Sequence, residues 1–177
     1  MRNIHLKLEN FMHRDIRTVI EDLCMDWSGL EWCELSVLLS ATQALSQLHQ
    51  SHHWQANGDT FYGDHLLFER LYSDTSAEID KIAEKLVGLA TPELVNAVAI
   101  STQSNLIMRE LFNSSGLESF KISLEAEKLY LSMIHAISLS LDSQNKLTYG
   151  LDNMLADMSD KHEEHIYLLN QRLSQHS

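Results

Sequence analysis

The chain has few of the residues that interrupt helices: its 177 residues include one proline and six glycines. A fold of many strands needs these residues at its turns, so their scarcity favours long helices. No apolar run approaches the ~18 residues that span a bilayer. The opening residues MRNIHLKLENF lack the continuous apolar segment of a signal peptide. We therefore expect a cytoplasmic protein with no membrane partner.

Cysteine is equally scarce. The only two, Cys24 and Cys33, form no CxxC motif. Two cysteines make no disulfide framework and suit a reducing compartment, so we expect both side chains to be buried or idle rather than ligating.

Positive charge is in short supply and is scattered. Thirteen Lys and Arg stand against 25 Asp and Glu, the net charge is −12, and no three basic residues are consecutive. Binding of nucleic acid to a folded surface requires a basic patch. We expect no strong direct DNA binding, with a local contact left open only at Arg2, Lys7, Arg14 and Arg17. An excess of carboxylates instead suits a protein that attracts cations.

Apolar residues at spacings of three and four predict four long helices. Their expected ranges are about 30–56, 59–86, 117–141 and 151 to the end, with breaks at Asn57-Gly58, Gly88 and Gly150. In the first, the buried stripe is Leu35, Leu38, Leu39, Thr42, Leu45 and Leu48. Thr91-Pro92 reads as the start of a further helix over 93–112.

This order predicts an all-α fold, an up-and-down four-helix bundle with an extra helix in the middle connection. We assign the bundle to residues 30–177. Residues 1–29 form an N-terminal extension, in which IRTVIEDLCMDW predicts a short amphipathic helix.

Four polar residues of the second helix lie on one shoulder of its apolar stripe. With His65 at 0°, Glu69, Asp80 and Glu84 fall near 40°, 60° and 100°, beside apolar residues at about −20° to −60°. His65 and Glu84 are ~28 Å apart along the helix, so one ion cannot join them within one chain. The four positions are, however, symmetric about a point between residues 74 and 75. Two antiparallel copies crossing there would set His65 opposite the partner's Glu84, as an isologous dimer requires.

His53 completes the predicted site, because the Asn57-Gly58 corner folds the end of the first helix back towards His65. Each site would hold His53, His65 and Glu69 of one chain with Asp80 and Glu84 of its partner. Imidazole and carboxylate ligands suit Fe(II), Mn(II) or Zn(II). The alternative is a solvated acidic face, with Glu84 paired to Lys81 or Lys85 and a purely structural His65.

The same residues resemble a known family. The spacing of His53-Trp54, Gly58, Phe61, His65, Glu69, Asp80 and Glu84 is similar to that of the Dps mini-ferritins (DNA-binding proteins from starved cells). The resemblance is strong over residues 35–88 and weak over 147–170. It implies a ferritin-like fold, a hollow dodecamer and ferroxidase centres at the twofold interfaces. There Fe(II) is oxidised, by hydrogen peroxide or dioxygen, and stored as ferric mineral, which protects against oxidative damage.

Carried over by residue, the resemblance makes His53, His65, Glu69, Asp80 and Glu84 both the metal ligands and the catalytic residues. Glu69 stands where Asp is usual. Trp54 beside the site either quenches stray oxidising equivalents or only packs.

The chain also departs from the family. Residues 89–117 are longer than usual, and the N-terminal extension lacks a lysine-rich tail. Twelve chains of −12 each would carry about −144, a charge that repels DNA.

An internal di-iron centre is disfavoured, because such centres use Glu-x-x-His pairs and the second helix has none. The last helix offers only His162-x-x-His165 and Asp157-x-x-Asp160. Together with Asp152, these residues line an ion-entry pore at a threefold axis or merely an exposed polar face. The alternative to a ferroxidase is a nucleoid-associated or structural shell whose metal site only stabilises the dimer.

Overall fold

The computed structural model describes residues 15–27, 30–112 and 118–174. Within this part of the chain there are six α-helices and no strand, so the predicted all-α fold is confirmed. The helices are α1 (Ile16–Cys24), α2 (Cys33–Gln55), α3 (Phe61–Leu89), α4 (Ala97–Ile107), α5 (Ser119–Ser143) and α6 (Tyr149–Ser174). Shorter turns are 3₁₀ at Met25–Trp27 and Pro92–Val95 and π-helical at Met108–Phe112. None of the described helices is long and apolar enough to cross a membrane.

The four long helices α2, α3, α5 and α6 form the bundle. Helix α2 is its centre, since it packs against α3, α5 and α4. All six members of the predicted α2 stripe are buried. They meet fully buried residues of the other three bundle helices, including Ile82, Leu86, Ile134, Ile137, Leu151 and Met158.

The middle connection differs in detail from the sequence prediction. Thr91 makes no side-chain cap and Pro92 opens only a 3₁₀ turn. The cap of α4 is Asn96, whose side chain accepts hydrogen bonds from the backbone N–H groups of Val98 and Ala99, both at 3.1 Å. Gly88 lies inside α3 instead of ending it. A capping side chain satisfies the free N–H groups of the first turn, and Asn96 supplies one where Thr91 does not.

Helix α1 packs on the bundle, as the amphipathic pattern of the predicted short helix requires. Val19, Ile20 and Leu23 are buried in the same core as the bundle helices. Gln103 of α4 also donates to the Leu23 carbonyl at 2.8 Å.

The two cysteines are paired as a disulfide, which corrects the expectation that they would be idle. Their Cα atoms are 5.4 Å apart. Cys24 ends α1 and Cys33 begins α2. The segment between them includes a 3₁₀ turn and Trp32, whose φ of 70° is left-handed. Sequence spacing alone cannot show this approach. The basic residues Arg2, Lys7 and Arg14 lie outside the described residues, while Arg17 is exposed on α1.

Candidate metal centres

The α2–α3 corner brings His53 and His65 together, as predicted. Gly58 takes the left-handed conformation (φ 84°) that the corner needs and that glycine adopts without strain. The two imidazole rings stack with centroids 3.7 Å apart and are half-buried.

The two histidines are oriented by each other's backbone. Nδ1 of His53 is 2.9 Å from the carbonyl oxygen of His65, and Nδ1 of His65 is 3.1 Å from that of His53. A carbonyl only accepts, so each Nδ1 carries the hydrogen in these contacts. Nε2 of each ring is left outside these contacts, which is how metal-binding histidines are commonly prepared.

The three predicted carboxylates, Glu69, Asp80 and Glu84, are exposed on α3. Among residues 15–27, 30–112 and 118–174, no hydrogen bond or ion pair holds them. Lys81 pairs instead with Asp157 at 3.1 Å. A single chain does not bring Asp80 or Glu84 to the histidines, so the composite site stays a prediction that needs a second chain.

The surface around these carboxylates has the character of a contact face. Tyr62 is 72% exposed and Leu66 and Val87 are also exposed, on the same arc of the helical wheel as the carboxylates. Midway along α3, this arc carries two small exposed residues, Ser73 and Ala77. We call the exposed arc Tyr62, Leu66, Glu69, Ser73, Ala77, Asp80, Glu84 and Val87 the α3 face.

Trp54 lies next to His53 in sequence and is 71% exposed. It therefore does not pack in the subunit core. Packing inside the chain is therefore excluded as the role of Trp54. Its ring is exposed at the α2–α3 corner, on the side of the α3 face.

A second group of imidazoles and carboxylates lies inside the bundle. All four long helices contribute to it: His49 of α2, Asp74 and Glu78 of α3, Glu127 of α5, and His162 and His165 of α6. We call these six residues the buried cluster. Asp74 is half-buried, and the other five are buried.

Glu127 is the centre of the buried cluster. Its Oε1 is 2.8 Å from Nε2 of His49 and 3.0 Å from Nδ1 of His165, and its Oε2 is 2.5 Å from Nδ1 of His162. Burial by itself raises the pKa of Glu127, but the attraction of His162 and the imidazole hydrogen bonds outweigh it and hold that pKa well below its usual value. Glu127 is thus a buried carboxylate in its charged form.

The pKa of His162 is set by its burial and by its two carboxylate neighbours. Burial lowers the pKa of His162, but Glu127 and Glu78 favour the protonated ring more strongly and raise the pKa to about 9. By contrast, burial lowers the pKa of His49 despite its bond to Glu127. Burial and the nearby His49 likewise lower the pKa of His52 to about 4.

The placement of His162 and His165 corrects the sequence interpretation. Both are fully buried and face the bundle interior, so they do not line a pore or an exposed polar face. Asp152, Asp157 and Asp160 are exposed on the same helix, on the other side of the helical wheel. A role of the three aspartates at an ion-entry pore stays a prediction.

Sequence reasoning missed most of the buried cluster because it searched for Glu-x-x-His pairs. A more general pattern was present: His162 with His165, and Asp74 with Glu78, are spaced three or four apart and so share one face of a helix. Which of these faces would turn inward, and that Glu127 and His49 would meet them, depends on the packing of four helices.

One further group of possible ligands, Cys24, Cys33 and Glu34, lies at the start of α2. Metal binding by cysteine requires the thiolate, and these two sulfur atoms are bonded to each other. The group is a structural link and not a candidate centre.

Comparison with known proteins agrees with the fold. A sequence profile of the ferritin-like domain matches residues 34–176. An uncharacterised protein of Haemophilus influenzae is 24% identical over 136 residues, covering 76% of this chain and 82% of its own. A nutrient stress-induced DNA-binding protein of a Nostoc species is 38% identical over 55 residues, 31% of this chain and 30% of that protein.

Solved structures of Dps proteins share the fold at low identity. Dps of Thermosynechococcus elongatus superposes with a TM-score of 0.64 at 16% identity, covering 90% of this chain and 95% of that one. DpsC of Streptomyces coelicolor gives 0.63 at 22%, covering 80% and 82%. The Dps protein of Vibrio cholerae, described as one of the ferritin-like diiron-carboxylate proteins, gives 0.62 at 18%, covering 93% and 96%. The chain therefore belongs to the ferritin-like family and has the fold of its Dps members.

Proposed function

We propose that the protein is a mini-ferritin that oxidises Fe(II), with hydrogen peroxide as the oxidant, at centres shared between two subunits. The observation that carries the proposal is the pair His53 and His65, each prepared to bind through Nε2, beside a row of exposed carboxylates on α3. Fe(II) is the substrate of these centres, and the ferric product is stored as mineral inside a closed shell of subunits. Other divalent ions such as Zn(II) or Mn(II) suit the same ligands.

The α3 face supports a twofold arrangement. Small residues at its middle, Ser73 and Ala77, allow two antiparallel helices to approach closely where they cross. Aromatic and aliphatic groups near its ends, Tyr62 and Val87, are exposed and gain from burial. With that crossing, His53, His65 and Glu69 of one chain meet Asp80 and Glu84 of the other, twice per dimer.

The chemistry requires ligands that accept a rise in metal charge. Two Fe(II) ions give up one electron each, the O–O bond of one peroxide molecule breaks, and its two oxygens leave as hydroxide or oxide in the ferric product. The protons released on hydrolysis of Fe(III) go to water. Carboxylates stabilise the more highly charged ion, and the two imidazoles hold the reduced one. The exposed Trp54 supplies an oxidisable ring beside the centre, suited to quench stray oxidising equivalents.

The shell is the dodecamer of the Dps proteins in this proposal, built from twelve chains and working in the cytoplasm. The Nostoc relative is called DNA-binding, but this chain has a net charge of −12. We propose no strong direct DNA binding, because a shell of this charge repels a polyanion. A tight complex in a gel-shift at low salt without Mg²⁺ would contradict that statement.

The test is the double variant His53→Ala with His65→Ala, assayed for Fe(II) oxidation by peroxide under anaerobic conditions. We expect the initial rate to fall by at least about tenfold, because both nitrogen ligands of each centre are lost. His135→Ala is the matched control, since it removes an exposed imidazole of α5 that is not part of the proposed centre. Sedimentation of both variants checks that the assembly is intact.

An unchanged rate in an intact double-variant assembly would refute oxidation at the interfacial centres. That outcome, together with a lower thermal stability of the dimer, would instead favour a structural or nucleoid-associated shell in which the metal only fastens two subunits.

A further inference from the structure

Three side chains of the buried cluster form a compact set of ligand atoms. Nδ1 of His162, Nδ1 of His165 and the carboxylate of Glu127 all lie within 4.8 Å of one another. All three side chains are fully buried. Two imidazoles with one carboxylate are a ligand set that first-row divalent metals bind well.

The hydrogen count of the cluster favours a cation at this point. His162 lies between two carboxylates, 2.5 Å from Glu127 and 3.0 Å from Glu78. His165 likewise lies 3.0 Å from Glu127 and 3.3 Å from Asp74. A neutral imidazole has one N–H. With one N–H, each ring faces one of its two carboxylates through a nitrogen lone pair, and a positive ion bound through the inner nitrogens relieves that repulsion.

The outer contacts are those that orient metal-bound histidines. Nε2 of His162 faces Glu78, and Nε2 of His165 faces Asp74. A metal-binding imidazole typically donates its other N–H to a carboxylate, which fixes the ring and raises its basicity. With the hydrogens on Nε2, the Nδ1 lone pairs of both rings converge beside Glu127.

His49 completes the arrangement as a positioning residue. Its Nε2 is 2.8 Å from Oε1 of Glu127, and its Nδ1 is 3.2 Å from the hydroxyl of Ser123. Nδ1 of His52 is 2.8 Å from the same hydroxyl. A neutral His49 that donates from Nε2 and accepts from Ser123, with Ser123 accepting from His52, satisfies every one of these contacts. This series of hydrogen bonds, from His52 through Ser123 and His49, holds the Glu127 carboxylate in place.

The charges around the buried cluster also favour a metal ion at this point. In the described part of the chain, no Lys or Arg forms an ion pair with Glu127 or Glu78. Buried carboxylates require a compensating charge, and here the compensation is left to histidine protons or a metal ion.

We propose that His162, His165 and Glu127 bind one divalent first-row transition ion inside each subunit, at a site separate from the interfacial centre. Glu78, Asp74 and His49 orient these ligands. The site takes all its protein ligands from one chain, so it does not depend on assembly. Asp74, with 30% of its side chain exposed and in contact with His165, links the site to the surface beside Arg70 and Lys161.

The experiment uses the full-length double variant His53→Ala with His65→Ala, which lacks both histidine ligands of the interfacial centre. Titration with Zn²⁺ by calorimetry, and with Co²⁺ by visible absorption, should give one tightly bound ion per chain. Adding His165→Gln should weaken binding by at least about 100-fold, because a ligand is lost. Tyr167→Gln, an exposed change on the same helix, is the matched control and should leave affinity unchanged.

A gentler variant tests the positioning role. Glu78→Gln keeps the size of the side chain but not its charge, and should weaken binding by about 10- to 100-fold. X-ray absorption of the Zn²⁺-loaded double variant should show scattering from two imidazole rings. That measurement needs no core substitution, so it decides the matter even when His165→Gln fails to fold.

The proposal is overturned when the double variant binds no ion at micromolar Zn²⁺ or Co²⁺. It is equally overturned when the bound ion shows no imidazole scattering, or when His165→Gln folds and binds with unchanged affinity. These results leave the buried cluster as a hydrogen-bonded network of the core. They do not bear on peroxide-driven oxidation at the interface, which the parent protein and the double variant report separately.

Discussion

His53 and His65 hold each other in place. Nδ1 of each ring lies at 2.9 or 3.1 Å from the backbone oxygen of the other, and the rings stack at 3.7 Å. Neither contact uses Nε2. Folding of the α2–α3 corner therefore orders both imidazoles in advance, which would lower the entropic cost of binding an ion at the proposed centre.

The first prediction concerns complementation between two inactive chains. His53→Ala with His65→Ala removes the histidine half of each proposed centre, and Asp80→Ala with Glu84→Ala removes the other half. In a mixed dimer, one centre receives both intact halves and the other receives neither. Random co-assembly in equal amounts should therefore restore about a quarter of the parent rate of Fe(II) oxidation.

The control for this experiment mixes the two variants after each has assembled separately. Activity should stay low there until subunits exchange. Restoration no greater than the mean of the two variants would show that one chain supplies the whole centre.

The second prediction concerns the crossing point on the α3 face. Ala77 is exposed and lies near the proposed twofold axis. Ala77→Arg should abolish the dimer or weaken it by more than about tenfold, because it sets two bulky like charges face to face. Sedimentation equilibrium measures the effect. Ala156→Arg, an exposed alanine of α6, is the control, and equal assembly of both variants would place the interface elsewhere.

The third prediction concerns the ion pair that ties the end of α6 to the start of α3. Arg172 contacts Asp64 through Nε at 2.5 Å and Nη2 at 2.9 Å, with 15% and 10% of the two side chains exposed. Arg172→Ala should lower the free energy of unfolding by about 2 kcal/mol, since a largely buried, charge-assisted bond is lost.

Arg70→Ala serves as its control. Arg70 meets Glu164 at 2.6 Å, but both side chains are nearly half exposed, so the loss should be below about 1 kcal/mol. Denaturant unfolding at fixed protein concentration compares the two. A larger loss for Arg70→Ala would contradict the assignment of the stronger contact to Arg172.

The fourth prediction concerns the disulfide between Cys24 and Cys33. It closes a short loop of sequence separation 9. Closing a loop of this size stabilises the folded chain by about 2–3 kcal/mol in the chain-entropy view. Reduction should lower the melting temperature and raise hydrogen exchange in α1, while Cys24→Ser with Cys33→Ser should not respond to reductant. Equal exchange of α1 before and after reduction would show that burial of Val19, Ile20 and Leu23 suffices to hold the helix.

Much of the fold was predictable because the helices are long and periodic. The α2 stripe from Leu35 to Leu48 is buried as expected, and its end at Asn57-Gly58 follows from local backbone chemistry. The middle connection was less predictable. Asn96 rather than Thr91 caps α4, because both residues suit a cap and only the geometry of the following turn selects one.

The two candidate centres differ in how much of their geometry can be predicted from the sequence. His53 and His65 are twelve residues apart across one tight corner, so local structure alone brings them together. His49, Glu127 and His162 come from three different helices, and the last is 35 residues from Glu127. Their meeting depends on how the helices are rotated within the bundle.

The sequence by itself determined the helices, the corner that pairs His53 with His65, and the row of acidic residues along α3, since all of these follow from spacings within one or two helices. Only the tertiary structure decided that His162 and His165 turn inward onto Glu127, and that Cys24 reaches Cys33. The reason is physical: periodicity fixes which residues share a helix face, whereas the packing of neighbouring helices decides which face is buried and against what.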